Sequence, residues 1–208
     1  MRGESQPPKT MGSMSMHDSS RVRLRRWQDR VQWAALLAPL LALVFVQRPG
    51  WIIPDTKLDL TANPGGFLVR ALTMWDPLAA GGQVQNQAYG YLFPMGPFFW
   101  LGSVIGLPPW VTQRLWWALV LGTAFVGMRL LLTRLGVGSL VSRIAAAYAY
   151  ALAPRMLMGL GAISSEIWPM ALAPWVMIPL VRMAAGGERA VAFRSGIAVL
   201  MLGAVNAA

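Results

Sequence analysis

The chain has 208 residues, of which 56% are hydrophobic and 12% charged, with a formal net charge of +10. Soluble domains carry about 25% charged residues, so this composition points away from an ordinary soluble enzyme and towards the bilayer class. Cysteine is absent and the single histidine, His17, stands in a polar tail, which excludes His-based catalysis and HExxH metal chemistry from this segment.

Residues 1–30 are polar, with five arginines between positions 21 and 30, and are expected to form a disordered basic tail on the cytoplasmic side. The basic run suits anionic lipid rather than nucleic acid. An apolar stretch over residues 31–46 follows at once, with Pro39 inside it and Trp33 and Trp51 as interface markers. A signal peptide would also start this way, but no small-residue cleavage site follows and further apolar stretches come later, which favours a retained first span.

Residues 47–108 contain no comparable span and form the expected external loop. Three charges, Asp55, Lys57 and Asp59, fall within five residues. A spacing of four would put both carboxylates on one face of a helix, and an extended segment would also put them on one side. Pro64, with Asn63 as its cap, opens a helix in which Phe67, Leu68, Ala71, Leu72 and Trp75 recur at helical spacing. That pattern predicts an interfacial amphipathic helix ending at Asp76-Pro77. A Gly-, Gln- and Tyr-rich loop comes next, and the apolar residues 98–107 are too few to cross, so a second interfacial or re-entrant helix is expected there.

Four more spans are expected: residues 110–132, with Gly122 and Gly127 allowing close contact; 140–157; 168–181, with three prolines; and one beginning near Phe193 and still running at Ala208. The reading is therefore an all-α, polytopic transmembrane bundle, residues 31–208 being the first part of a longer membrane domain. With the N-terminus inside, thirteen Lys and Arg fall on the cytoplasmic side and five outside, which places residues 47–108 outside a plasma membrane.

A carboxylate at the outer surface can take a proton from a hydroxyl or hold a cation, which marks Asp55 and Asp59; a solvated loop with a Lys57 salt bridge is the plainer alternative. Candidate substrate-binding residues are Lys57, Arg70, Asp76, Gln85, Asn86, Gln87, Tyr89, Tyr91 and Glu166. Arg70 and Arg48 stand where a lipid phosphate could be met, or where they would simply snorkel to headgroups. The amides and tyrosines are what a sugar pocket needs: hydrogen bonds to hydroxyls and a flat apolar surface. Asp76 could equally terminate a helix, and Glu166 could pair with Arg155 and merely hold the bundle.

The stretches TKLDLTANPGGFLVRALTMWDP, GQVQNQAYGYLFPMGPFFWLG and GAISSEIWPMALAPWVMIPL, with the terminal GAVNAA, resemble the alpha-(1→3)-arabinofuranosyltransferase family of mycobacteria and related actinobacteria. The resemblance covers about residues 30–208. It implies a very large multi-span enzyme of the GT-C glycosyltransferase type, with juxtamembrane helices in the first external loop. It implies transfer of arabinofuranose from decaprenylphosphoryl arabinose to cell-wall arabinan, in arabinogalactan or lipoarabinomannan. In that fold type the base is usually an Asp in the first external loop, which selects Asp59, with Asp55 as the close second. The implied partners are membrane lipid, the polyprenyl-phosphate donor, the arabinan acceptor and the remainder of the same polypeptide, without which this segment is expected to be inactive. No nucleotide sugar is needed, no metal ligand is assigned, and a divalent cation is left open. A polyprenyl-lipid transporter or flippase, or a non-catalytic scaffold for wall assembly, would share the broken, Pro-rich spans.

Overall fold

A computed structural model describes residues 16–55, 57–73, 75–77, 81–84, 88–184 and 189–203. The backbone divides into two units, Met1–Pro39 and Leu40–Ala208. The first unit holds most of α1 (Met16–Phe45). This helix starts inside the stretch expected to be disordered: its backbone is helical from Met16, across the arginine-rich run. Straight-chain and charged residues such as Arg have good intrinsic helix propensity, and no Pro or Gly interrupts residues 16–30.

The second unit is helical apart from one small hairpin. Leu40 and Val44, one helical step apart, are its buried contribution from α1. Then come α2 (Leu58–Ala62) and α3 (Pro64–Ala71). Pro64 opens α3, and the Asn63 side chain accepts from the Gly66 N–H at 3.0 Å, as the sequence predicts. The helix stops at Ala71, earlier than Asp76-Pro77, because Trp75–Asp76 (β1) pairs antiparallel with Gln83–Val84 (β2). A 3-10 turn (Ala88–Tyr91) leads into α4 (Met95–Val104), the second short helix the sequence predicts.

The centre of the unit is α5 (Pro109–Leu135), which is long and apolar enough to cross a membrane and, among the described residues, the one helix that passes that test. It ends at Gly136 in the left-handed conformation, φ 69°, where the Val137 N–H reaches back to the Leu132 carbonyl at 3.1 Å. The expected third span is broken into α6 (Leu140–Ala151) and α7 (Pro154–Leu160). Pro154 cannot donate to the ladder and biases the residue before it away from the helix.

Next is α8 (Ser164–Ala184), which contains Pro169, Pro174 and Pro179. Pro174 leaves the Met170 carbonyl without its helical donor, and the Tyr150 hydroxyl supplies one at 2.5 Å. α5 and α8 pack where Gly127 leaves room: a Cβ there would lie 2.5 Å from Nε1 of Trp175, which donates to the Thr123 carbonyl at 3.0 Å. α9 (Arg189–Leu200) ends in a turn at Met201, so the last predicted span does not continue as one helix to the end of the described residues. It runs back along α8: Ser195 Oγ donates to the Val176 carbonyl, and Trp168 Nε1 to the Met201 carbonyl.

Candidate functional site

The segment after α1 is held to α5 by two buried polar side chains. Gln113 accepts from the Ile53 N–H at 3.0 Å and donates to the Ile53 carbonyl at 2.7 Å. Arg114 donates to the Trp51 carbonyl at 3.2 Å, its guanidinium lying 4.4 Å from the Trp117 ring centroid. This anchoring delivers Asp55 to the first turn of α8. Its two carboxylate oxygens accept from the Ser164 backbone N–H at 2.7 Å and the Ser164 hydroxyl at 2.5 Å. The same hydroxyl accepts from Trp116 Nε1 at 3.0 Å.

Asp55 is buried, with 3% of its surface exposed, and adopts a left-handed φ of 43°. Asp enters that region more readily than most residues, and its carbonyl accepts from the Lys57 N–H at 2.7 Å. Burial pushes the carboxyl up from its ordinary value, and the Ser164 hydrogen bonds pull it partly back.

Asp59 has a different setting. It sits in the first turn of α2, roughly half-exposed, and accepts from Arg70 Nη2 of α3 at 2.6 Å. The one-residue connection through Asn63 folds α3 back so that a pair eleven residues apart meets. The two carboxylates therefore do not share a face, contrary to the four-residue spacing: the left-handed turn at Asp55 lies between them and the helix starts only at Leu58. The Lys57 salt bridge of the plainer alternative is not formed with either of them among the described residues, and Lys57 is half-buried.

Glu166 pairs with Arg155 at 3.3 Å. It also lies in the first turn of α8, where the helix dipole favours an acid. Tyr91 is 1% exposed, its ring edge-on to Phe67 at 6.0 Å, so the ring packs in the interior instead of presenting an open stacking face. Gln85, Asn86 and Gln87 lie outside the described residues, as do the side chains of Asp76 and Tyr89. The Asp76 backbone is in β1, paired with Gln83, and does not end a helix.

Beside α2 lies a cavity of about 340 Å³ whose lining includes Thr61, Ala62, Phe99, Ser103 and Thr112. Ligand sites start near this size. Among the described residues no three acidic or histidine side chains converge, and Asp55 and Asp59 are bonded to Ser164 and Arg70 respectively.

Gln113, Arg114, Trp116 and Ser164 went unpredicted as site residues. Their one signal is the polar triplet Thr112, Gln113, Arg114 at the head of an apolar span, where buried polar groups need a reason.

Residues 39–208 match the family described as Alpha-(1->3)-arabinofuranosyltransferase, N-terminal GT-C domain. The chain belongs to this family. The relative named alpha-(1->3)-arabinofuranosyltransferase in Mycolicibacterium smegmatis is 56% identical over 172 residues, 82% of this chain. The protein of the same name in Mycobacterium tuberculosis is 53% identical over 174 residues, again 82% of the chain. The chain spans 12% of the length of each of these relatives. The cryo-EM structure of arabinofuranosyltransferase AftD from mycobacteria, in one class of a mutant, matches with a TM-score of 0.80 at 53% identity, covering 88% of this chain and 14% of that one. A second class of the same mutant matches with a TM-score of 0.79. The helical order described above is thus that of the first part of an arabinofuranosyltransferase GT-C domain.

Proposed function

We propose that this chain forms the first part of a polytopic membrane enzyme that transfers arabinofuranose from a polyprenyl-phosphate donor, decaprenylphosphoryl arabinose, to a cell-wall arabinan. α1, α5, α8, the broken pair α6–α7 and α9 are its membrane elements. The N-terminus is cytoplasmic, and the segment carrying Asp55, Asp59 and Arg70 faces outward, in line with the arginine distribution. Family membership supports the reaction class.

The observation that carries the site is the exposed Asp59–Arg70 pair on a helical hairpin next to a cavity. Asp59 is the proton acceptor: the acceptor hydroxyl oxygen attacks the anomeric carbon, its proton passes to the Asp59 carboxylate, and the bond from that carbon to the phosphate oxygen breaks. The lipid phosphate departs with the electron pair, and the planar guanidinium of Arg70 offsets its charge. Asp55, buried against Ser164, positions the segment from behind. Lys57, in the same segment, contributes a polar contact to the sugars, and the amide- and tyrosine-rich sequence of residues 85–89 is assigned to sugar binding on its chemistry alone. A divalent cation is not required by this scheme.

The test is Asp59→Asn in the full-length enzyme, assayed for transfer from decaprenylphosphoryl arabinose. A drop of roughly 10²- to 10⁴-fold is expected for loss of a general base. Turnover near that of the wild type would remove Asp59 from the role and leave a scaffold or a different base.

A further inference from the structure

A second cavity plays no part in this chemistry. It is a groove of about 380 Å³ between α5, α8 and α9, walled by apolar side chains including Leu130, Leu172, Trp175 and Met201. Arg134 and Arg194 also line it, both exposed, and among the described residues no Asp or Glu does.

The order of these residues along the groove is fixed by contacts. Trp116 lies against Ser164 and Trp168, and further along both helices Trp175 bonds to Thr123, so α5 and α8 run in the same direction and Arg134 lies beyond Leu130 at the level of Pro179. Ser195 on Val176 and Trp168 on Met201 make α9 run back against α8, so Arg194 lies at that same end. Both guanidiniums therefore sit at one mouth of the groove. Leu172 and Met201 lie at the other end, about 10 Å away at 1.5 Å of rise per residue. Charge at one end and an apolar channel leading inward is the polarity of an anionic amphiphile.

We infer that this groove binds an anionic phospholipid of the cytoplasmic leaflet, its phosphate between Arg134 and Arg194 and one acyl chain running past Leu130 and Trp175 towards the bilayer centre. The leaflet rests on the orientation proposed above; the lipid chemistry does not. Anionic lipid attracts basic residues at the cytoplasmic surface, and the groove gives that attraction a fixed place and a chain-binding wall.

The test is native mass spectrometry of the full-length protein, titrated with phosphatidylglycerol or with phosphatidylcholine of the same acyl chains. The wild type should retain phosphatidylglycerol and not phosphatidylcholine. The double variant R134Q/R194Q should weaken retention by about 25-fold, on the order of fivefold per arginine near an anionic surface. The pair R134K/R194K should stay within a few-fold of the wild type, which separates charge from misfolding. Ala198→Trp, which fills the channel while keeping both arginines, should also lose the lipid. Equal retention of phosphatidylglycerol by the wild type and R134Q/R194Q, or equal retention of the two lipids, would overturn the site. Labelling of Gly136→Cys by a membrane-impermeant maleimide reports orientation independently. Reaction from the outside alone would overturn the leaflet assignment and leave the lipid result readable.

Discussion

Replacing Ser164 by Ala removes one oxygen that serves two buried partners. The Asp55 carboxylate loses its hydroxyl donor, and Trp116 Nε1 loses its acceptor. The Ser164 backbone N–H still reaches Asp55, so the segment is weakened without being released. A hydrogen bond to a charged group contributes about 1.5–3 kcal/mol, and an orphaned buried donor costs about 1–3 kcal/mol. Allowing for partial relaxation, opening of the segment should become easier by about 3 kcal/mol, which is on the order of 100-fold in its equilibrium constant. Hydrogen–deuterium exchange of the full-length protein reads this locally, at the amides of Ile53, Lys57 and Leu60. These should exchange on the order of 100-fold faster in Ser164→Ala, while the α5 amides beyond Leu121 stay unchanged. Exchange within threefold of the wild type at Ile53 and Lys57 would refute the view that Ser164 holds this segment.

Asp55 makes the same segment sensitive to pH. Its carboxyl is raised in the folded chain by burial, so the fold favours the protonated form. That stabilisation is complete below the ordinary value of 3.8 and is lost as pH rises through the raised value. Exchange protection at Lys57, corrected for intrinsic rates, should therefore increase on acidification, and Asp55→Asn should flatten the profile. Tyr150→Phe should cost about 1–2 kcal/mol, because the Met170 carbonyl that Pro174 leaves bare then has no donor inside the helix cluster. A thermal unfolding midpoint equal to that of the wild type would show that the bond contributes nothing.

Much of the local structure was legible because proline and glycine punctuate it. Asn63-Pro64 read as a cap and first turn, whereas Pro109 and Gly136, which bound α5, carry the same kind of signal that the expected span of 110–132 did not use. Hydropathy misled where it ran across a break: residues 140–157 look like one span, yet Pro154 divides them. Polarity alone does not mark where a helix begins: from Met16 the arginine-rich run continues the helix of the apolar stretch that follows. The site was half legible. Asp59 and Arg70 lie eleven residues apart, and a short turn between two helices is enough to bring them together. Asp55 and Ser164 are 109 residues apart, and no local periodicity encodes a contact at that range. Nor could spacing reveal that a left-handed residue at Asp55 would turn the two carboxylates into different environments.

The prolines of α8 recur every five residues, at 169, 174 and 179. Each leaves bare the carbonyl four positions earlier, on Ser165, Met170 and Trp175. Five residues advance an α-helix by about 140° beyond a full turn, so the three bare oxygens point to three different sides. A helix that would otherwise be chemically mute towards its surroundings becomes a post with acceptors spread around it, one already claimed by Tyr150. Neighbours around such a post can be ranked by which oxygen they reach, which gives an oily bundle a rotational setting that greasy side chains alone would leave loose.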